Sequence, residues 1–342
     1  MTMSKKSQAR RRVLTTGAAV CAAVAMPRLA RAAAPIKLKY GTNVNIENPL
    51  NVRLNEAFTR IRTQTNGAVD IQLFPDGQLG SDTEMLSQLR SGALDMFTLS
   101  SVILSRLVPE CAIVGVGFAF PSYKEIWAAM DGDLGAALRD RISAAGLFCQ
   151  EKVWDLSFKE ITSSAIAVRK PEDLKGFKLR VPPGRLWISL FEAFGASPTT
   201  INMNEIYSAL QTRVVDGTEL PLTTFYFAKL YEVQKSVSLT RHMWDGWLSL
   251  VNKATWDQIP ADLRAVVSRN LNESALAQRA DVVALEARFA GVLAKDKKMQ
   301  VIEVDPKPFR VALRQAGYYE EWKKRFGPDM WALLEKYAGH IG

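Results

Sequence analysis

Arg180 is the residue whose position points most directly to a chemical role. Between Phe177 and Val181, apolar and basic residues alternate, which in a strand places Arg180 on the face opposite the apolar side chains. Pro182 and Pro183 then end the strand, because proline has no amide hydrogen for the ladder. Ligands of open α/β sheets bind at the carboxyl ends of strands, and a guanidinium can hold a carboxylate through two parallel bonds. Arg180 is therefore a candidate carboxylate ligand, with a solvated arginine at a strand end as the alternative.

The chain is poor in the residue patterns that catalysis or metal binding requires. Its two histidines, His242 and His340, are far apart, and Cys111 and Cys149 are 38 positions apart, so neither a zinc cluster nor a Cys-x-x-Cys pair is present. No Gly-x-Ser-x-Gly elbow, phosphate-binding glycine loop or haem attachment sequence occurs. We interpret the two cysteines as buried thiols rather than a disulfide. We therefore expect a binding protein that is not an enzyme and that has no catalytic residue, no cofactor and no metal.

Residues 1–32 have the features of a secretory signal peptide. Residues 1–34 contain seven basic residues and no acid, an apolar run between Val13 and Ala25 is shorter than the ~20 residues of a membrane-spanning helix, and 30–32 form a small-x-small cleavage site. The arginines at 10–12 indicate the twin-arginine route, with an ordinary basic leader as the alternative. Without this segment, 44 minus 7 leaves 37 Lys and Arg against 35 Asp and Glu, a net charge of +2. We expect a periplasmic location and no nucleic-acid partner, because no concentrated basic surface remains.

The elements that must position Arg180 alternate between strands and helices. Candidate strands at 36–41, 69–74 and 93–99 are separated by helical stretches, which indicates an α/β fold with parallel strands. Asn43 follows the first of these strands and Ser101 follows the third, so both are candidate ligand contacts. Asn43 has the alternative of a turn residue that bonds its own backbone.

Three motifs give the chain a resemblance to a known family. Residues 171–182 read PEDLKGFKLRVP, residues 209–217 read ALQTRVVDG, and residues 229–235 read KLYEVQK. In this order and spacing they resemble the DctP-like solute-binding subunits of TRAP (tripartite ATP-independent periplasmic) transporters. The likeness extends over essentially the whole chain after the leader.

The resemblance implies a two-lobed α/β periplasmic binding protein of type II-like architecture, with each lobe a mostly parallel sheet flanked by helices. No proline or glycine occurs between Pro260 and Gly291, so a long helix is expected there. The resemblance implies that this helix braces both lobes. Lobe I is expected to comprise residues 33–160 plus about 246–285. Lobe II is expected to comprise about 161–245 plus 286–342. The chain is expected to cross between the lobes at 157–168 and 239–247.

The resemblance also assigns roles within the site. Arg180 takes the position of the arginine that holds the substrate carboxylate, and Asn43 aligns with a ligand-contacting asparagine. Relatives commonly carry basic residues near Ala165 and Ile166, which are apolar here, so we expect a single carboxylate clamp. Leu220 replaces the asparagine of the usual Gln-Glu-Asn-Pro sequence, which makes the expected site more apolar.

The remaining candidates come from the same comparison of motifs. Trp187 either packs in the core or turns to the ligand. Met203 stands where relatives often have an aromatic that covers the substrate, with a core gap-filler as the alternative. Glu219 is expected to pair with a basic group such as Arg180. At the second crossing, Trp244 and Asp245 are expected in the pocket. We interpret Trp247 as core, and Phe225 as available to line the pocket.

These observations lead to one functional hypothesis and two rivals. The hypothesis is a periplasmic solute-binding protein, expected to be a monomer, that captures an organic acid between two lobes and delivers it to a TRAP membrane permease. The missing polar partners favour a monocarboxylate with an apolar or aromatic body. The rivals are an exported periplasmic oxidoreductase that contains a cofactor, and a ligand sensor with the same fold.

Overall fold

The structure is a computed structural model that describes residues 34–341, so the predicted signal peptide lies outside the described part. The strands are β1 (Ile36–Gly41), β2 (Val69–Phe74), β3 (Met96–Ser100), β4 (Leu147–Cys149), β5 (Trp154–Phe158), β6 (Glu160–Ser163), β7 (Lys178–Val181), β8 (Ser197–Thr200), β9 (Gly217–Leu220), β10 (Ser236–Leu239), β11 (Trp244–Asn252) and β12 (Gln300–Glu303). The α-helices are α1 (Pro49–Gln64), α2 (Asp82–Ser91), α3 (Ser101–Leu104), α4 (Tyr123–Met130), α5 (Asp133–Ala144), α6 (Arg185–Glu192), α7 (Ile206–Gln211), α8 (Leu222–Phe227), α9 (Lys253–Gln258), α10 (Ala261–Lys295), α11 (Pro306–Gln315) and α12 (Tyr318–Ala338).

Two sheets form the framework of the two lobes. The first has the order β2-β1-β3-β11-β4, with β5 beside β11, and the second has the order β12-β10-β6-β9-β7-β8. Parallel pairs such as β1 with β2 and β7 with β8 are connected by helices, as expected for crossover connections. The two-lobed α/β fold that the sequence implies is therefore confirmed.

The sheets differ from the prediction in one respect. Each sheet contains both parallel and antiparallel pairs and is therefore mixed rather than mostly parallel. The strands that carry the chain between the lobes run antiparallel to their neighbours: β11 to β3, β4 and β5, and β6 to β9 and β10. The chain leaves the first sheet at Phe158 and enters the second at Glu160, with Lys159 between them. It returns between Leu239 and Trp244. Both passages lie within the predicted crossing segments.

The long helix α10 contacts elements of both lobes. It has 35 residues, which corresponds to a length of about 50 Å. Its Gln278 side chain accepts from the backbone nitrogen of Asp155 at 2.9 Å and donates to the carbonyl oxygen of the same residue at 2.8 Å, next to the first crossing. Further along, Glu286 accepts from the backbone nitrogen of Thr223 at 2.8 Å, at the start of α8. These bonds tie the helix to both sides of the crossing.

The carboxyl-terminal segment, 286–342, was expected in lobe II. Its strand β12 pairs with β10 of the second sheet, whereas α12 packs against α4 and α5, which lie between strands of the first sheet. Phe309 of α11 contacts Phe118 on one side and Phe194 on the other. Within residues 34–341, no helix combines the length and the apolar composition needed to cross a membrane.

Cys111 and Cys149 are both buried and carry free thiols in this structure. Burial raises the pKa of the Cys149 thiol to about 12. Because the thiolate is the reactive form, both thiols should react slowly in the folded protein.

Candidate ligand-binding site

A cavity lies where the two sheets and the first crossing meet. It encloses about 370 Å³ of empty space, its opening to solvent included, which suits a small molecule. Its polar lining is Asn43, Asp82, Ser100, Lys159, Arg180, Thr224 and Asp245, and its apolar lining is Val44, Ile103, Leu156, Pro182, Trp187, Met203, Leu220 and Trp247.

Arg180 lies at the cavity, near the end of β7 where the alternating pattern places it. Its side chain is 1% exposed, and its Nε donates to the carbonyl oxygen of Ile201 at 2.8 Å. That single bond fixes the plane of the guanidinium, while its buried Nη1 has no hydrogen-bond partner within residues 34–341. Burial lowers the pKa of Arg180 to about 10, against the opposing effects of Glu219 and Asp82. A buried donor without a partner destabilises the folded protein unless a ligand accepts a hydrogen bond from it.

Lys159 is a second cation in the cavity, and the sequence analysis missed it. Its side chain is 2% exposed, and burial lowers its pKa, while the nearby charges of Glu219 and Asp245 oppose that shift. Ala165 and Ile166, where we looked for a second basic group, do not line the cavity. The cavity therefore contains a second cation in addition to the single arginine clamp that we expected. Its one distinguishing feature in the sequence is that no other basic residue lies between Val153 and Val168, which does not indicate burial.

Two carboxyl groups share the cavity with these cations. Asp82 is the first residue of α2, where the reciprocal Ser81–Glu84 capping bonds fix the helix start. It accepts from Asn43 Nδ2 at 2.8 Å, and burial raises its pKa to about 6. Asp245 accepts from the hydroxyl of Ser100, and burial likewise raises its pKa to about 6. Asp82 was not predicted, because nothing in its local sequence distinguishes it from an ordinary first-turn aspartate.

The apolar wall contains three of the predicted residues and one that we had interpreted as core. Trp187, Met203 and Leu220 line the cavity, and so does Trp247. A Cβ at Gly184 would lie 2.7 Å from the Trp187 ring, so the glycine is needed for this ring position. The indole Nε1 of Trp187 has no partner within the described residues, which leaves a second buried donor at the cavity.

Ser101, Glu219 and Trp244 do not line the cavity, contrary to the prediction. The Ser101 hydroxyl donates to the carbonyl oxygen of Gly246 at 2.9 Å, and Trp244 Nε1 donates to Asp155 at 2.9 Å. Phe225 packs into a separate core of the second lobe.

Glu219 is not part of the cavity lining. It is fully buried, and one carboxylate oxygen is 3.6 Å from the Nε2 of His242. No ion pair with Arg180 forms within the described residues, although we expected one. Burial lowers the pKa of His242, so the contact with Glu219 involves a neutral imidazole at neutral pH.

Residues 41–324 match the family described as bacterial extracellular solute-binding protein, family 7. The chain belongs to this family. A similar relative is the C4-dicarboxylate-binding periplasmic protein DctP of Rhodobacter capsulatus, 32% identical over 262 residues that cover 76% of this chain and 77% of that protein. The uncharacterized protein y4mM of Sinorhizobium fredii is 34% identical over 306 residues, 89% of this chain and 56% of that protein. The chain thus spans about half the length of y4mM.

A solved structure of a TRAP solute-binding protein agrees with this assignment. A TRAP periplasmic solute-binding protein of Ralstonia eutropha H16, with bound (S)-2-hydroxy-2-methyl-3-oxobutanoate, superposes with a TM-score of 0.82 at 29% identity. The match covers 88% of this chain and 98% of that chain. The resemblance to TRAP solute-binding subunits is therefore confirmed. Membership in a family of binding proteins does not favour the exported oxidoreductase.

Asp155, beside the first crossing of this solute-binding protein, is a fully buried carboxyl group. Trp244 Nε1 and the backbone nitrogen of Ser157 donate to its Oδ1, and its Oδ2 has no partner within residues 34–341. Burial raises its pKa from 3.8 to about 7, and the charge of Glu286 acts in the same direction. Ionised Asp155 therefore destabilises the folded protein, increasingly as the pH rises from about 4 to 7.

We expect Asp155→Asn to raise the melting temperature, and the gain over wild type should grow between about pH 4 and pH 7 and then level off. The asparagine oxygen can keep both bonds while the buried charge is removed. Thermal denaturation from pH 4 to 8 measures the effect, with exposed Asp140→Asn of α5 as the matched control. A gain that is equal at all pH values would show that ionisation of Asp155 is not responsible.

Proposed function

We propose that this family-7 protein captures a small organic acid in the periplasm and delivers it to a TRAP membrane permease, without acting as an enzyme. The observation that carries the proposal is the pair of buried cations, Arg180 and Lys159, that face one cavity at the meeting of the lobes. Buried charges without a bonded partner are rare in proteins, because desolvation penalises them. A bound carboxylate would supply the partner that Arg180 Nη1 lacks and a negative charge beside Lys159.

The polar atoms left without partners indicate what else the acid carries. Arg180 Nη1 and Trp187 Nε1 are donors, whereas Asn43 Oδ1 is an acceptor. The Asn43 amide is oriented by its bond from Nδ2 to Asp82, so the oxygen is the atom that remains free. A carboxylate satisfies donors, but only a hydroxyl or another donor on the ligand satisfies Asn43 Oδ1. We therefore propose a hydroxy acid.

The rest of the cavity favours an acid with one carboxylate and a small apolar body. Trp187, Leu220 and Trp247 offer apolar surface, which contributes about 25 cal/mol for each Å² of ligand surface buried. Asp82 and Asp245 have pKa values of about 6, so both are largely ionised at pH 7.5 and would repel a second carboxylate. The relative from Ralstonia eutropha, with its bound branched 2-hydroxy acid, is consistent with this class.

The location of the cavity supports a capture mechanism based on lobe closure. Arg180 belongs to the second sheet, Asn43 follows a strand of the first, and Lys159 lies on the crossing between them. An acid bonded to all three is held in full only when the lobes are closed. Binding would therefore shift the population towards the closed form, which the permease would recognise.

Thermal-shift measurements with a small panel of acids test the substrate class. We expect 2-hydroxyisovalerate to stabilise the protein most, 2-oxoisovalerate less because it lacks the hydroxyl, and succinate and benzoate least. At a concentration of 100 times Kd, a ligand adds about 2.7 kcal/mol to the free energy of unfolding. Strong stabilisation by succinate alone would show that the ligand is a dicarboxylate and that the roles given to Asp82 and Asp245 are wrong.

A further inference from the structure

We propose that Asn45 is a latch that holds the mouth of the cleft closed and thereby sets how fast a bound acid leaves. Asn45 lies in the loop between β1 and α1, on the side of the first sheet, and Phe227 is the last residue of α8, which follows β9 of the second sheet. The side-chain Nδ2 of Asn45 donates to the carbonyl oxygen of Phe227 at 2.6 Å. The inference rests on the proposed function, because a latch acts on ligand exchange only if an acid enters between the lobes.

The latch lies directly outside the acid cavity. A second cavity, here called the mouth cavity, has Asn45 and Phe227 in its wall. It shares Asn43, Met203 and Thr224 with the acid cavity, so the two spaces adjoin. Asn45 and Phe227 do not line the acid cavity itself. The bond between them can therefore control passage through the mouth without touching the acid.

The start of α1 fixes the orientation of the latch amide. Asn45 Oδ1 accepts from the backbone nitrogen of Asn48 at 3.1 Å, and the carbonyl oxygen of Asn45 accepts from Asn51 Nδ2 at 2.8 Å. Because Oδ1 already has a donor on its own side, Nδ2 is the group that faces the other lobe. The amide is thus preorganised, and little side-chain entropy is lost when the lobes meet.

On the opposite side, α8 connects the latch to both the acid cavity and the long helix. The Phe227 carbonyl belongs to the last turn of α8, where it has no intrahelical partner and is free to accept from Asn45. Thr224, one turn earlier, lines the acid cavity. At the start of the helix, Thr223 is bonded to Glu286 of α10. A movement of α8 towards a bound acid would therefore carry the Phe227 carbonyl to the latch.

The size of the expected effect follows from the type of bond. A neutral hydrogen bond contributes enough to change an equilibrium by about two- to tenfold, so Asn45→Ala should speed acid dissociation by about that factor. Asn45→Asp should have the larger effect, because it keeps the oxygen that accepts from Asn48 but turns a carboxylate oxygen towards the carbonyl of Phe227.

Stopped-flow dissociation with 2-hydroxyisovalerate and with succinate tests the latch. We expect Asn45→Asp to speed release of whichever acids bind, and by a similar factor for each, since the latch touches neither. Asn55→Asp is the matched control, because it adds the same charge on the exposed face of α1, two turns beyond Asn48. Equal release rates in the two variants would overturn the proposal.

A cross-linking measurement, made without acid and again with each acid of the panel, separates failure of the latch from failure of the proposed function. Under mild oxidation, the pair Asn45→Cys and Ala228→Cys should form a disulfide, whereas Asn55→Cys with Ala228→Cys should not. The native thiols of Cys111 and Cys149 are buried and should not compete. If neither acid binds but the first pair cross-links, the acid class is wrong and the latch stands. No cross-linking of the first pair under any of these conditions would overturn the latch.

Discussion

Arg180→Ala should weaken binding of the acid at least tenfold. A hydrogen bond between a guanidinium and a carboxylate contributes roughly 1.5 to 3 kcal/mol, and a tenfold change in Kd corresponds to about 1.4 kcal/mol. Arg180→Lys should not restore the affinity. A lysine ammonium lacks the planar fork that lets Arg180 donate from Nε to Ile201 while its other nitrogens face the cavity. Isothermal titration calorimetry with 2-hydroxyisovalerate measures both variants.

Arg185→Ala is the matched control for this experiment. Arg185 is five residues further along the chain, its side chain is 64% exposed, and its ion pair with Glu321 lies outside the cavity. We expect its affinity to stay near that of wild type. The melting temperature of Arg180→Ala must be recorded as well, because the substitution removes a cation close to the buried Glu219. Wild-type affinity in a folded Arg180→Ala protein would exclude Arg180 from the site.

Lys159→Met should also weaken binding at least tenfold, because it retains an apolar stem of similar length and removes only the charge. The loss should be specific to this buried lysine. Lys178→Met, at the exposed start of β7, provides the control and should bind normally. An unchanged Kd in Lys159→Met would mean that Lys159 stabilises its buried acidic neighbours and does not bind the ligand.

The pH dependence of binding gives a second measurement of the role of Lys159. Burial lowers the pKa of Lys159 below its usual 10.5, so wild-type affinity should fall on the alkaline side as the ammonium loses its proton. An arginine holds its proton to higher pH than a lysine in the same place, so Lys159→Arg should move this fall to higher pH. The same alkaline fall in both proteins would show that another group, and not Lys159, titrates.

Local sequence signals were sufficient for the elements and for the principal cation of the site. The alternation that ends at Pro182 predicts both the strand and the position of Arg180, since proline stops a ladder wherever the rest of the chain lies. The absence of proline and glycine after Pro260 predicts the long helix, because helix propensity and spacing are properties of neighbouring residues. The family was identifiable as well, because each of the three motifs is a continuous stretch of sequence.

Which side chains meet at the cavity was decided by the tertiary structure. Trp244 and Trp247 are both buried on β11, but only Trp247 lines the cavity. The face that turns to the cavity depends on how β11 pairs with β5, where the register shifts between Trp244 and Gly246. Gly246 within the strand is compatible with such an irregularity, but it does not say which tryptophan faces the cavity, because a shift of one residue exchanges the faces. The sequence analysis therefore placed the wrong tryptophan in the pocket.

The burial of Lys159 was likewise decided by the tertiary structure. Taken alone in the sequence, a lysine between two short strands is typical of an exposed position, since lysine is almost never fully buried without partners. Its burial is possible because the charges of Glu219, Asp245 and Glu286 act on it from three distant parts of the chain. The sequence by itself determined the family, the strands and helices, and Arg180. Only the tertiary structure brought these acids to Lys159, because electrostatic contact depends on distance in space and not on separation along the chain.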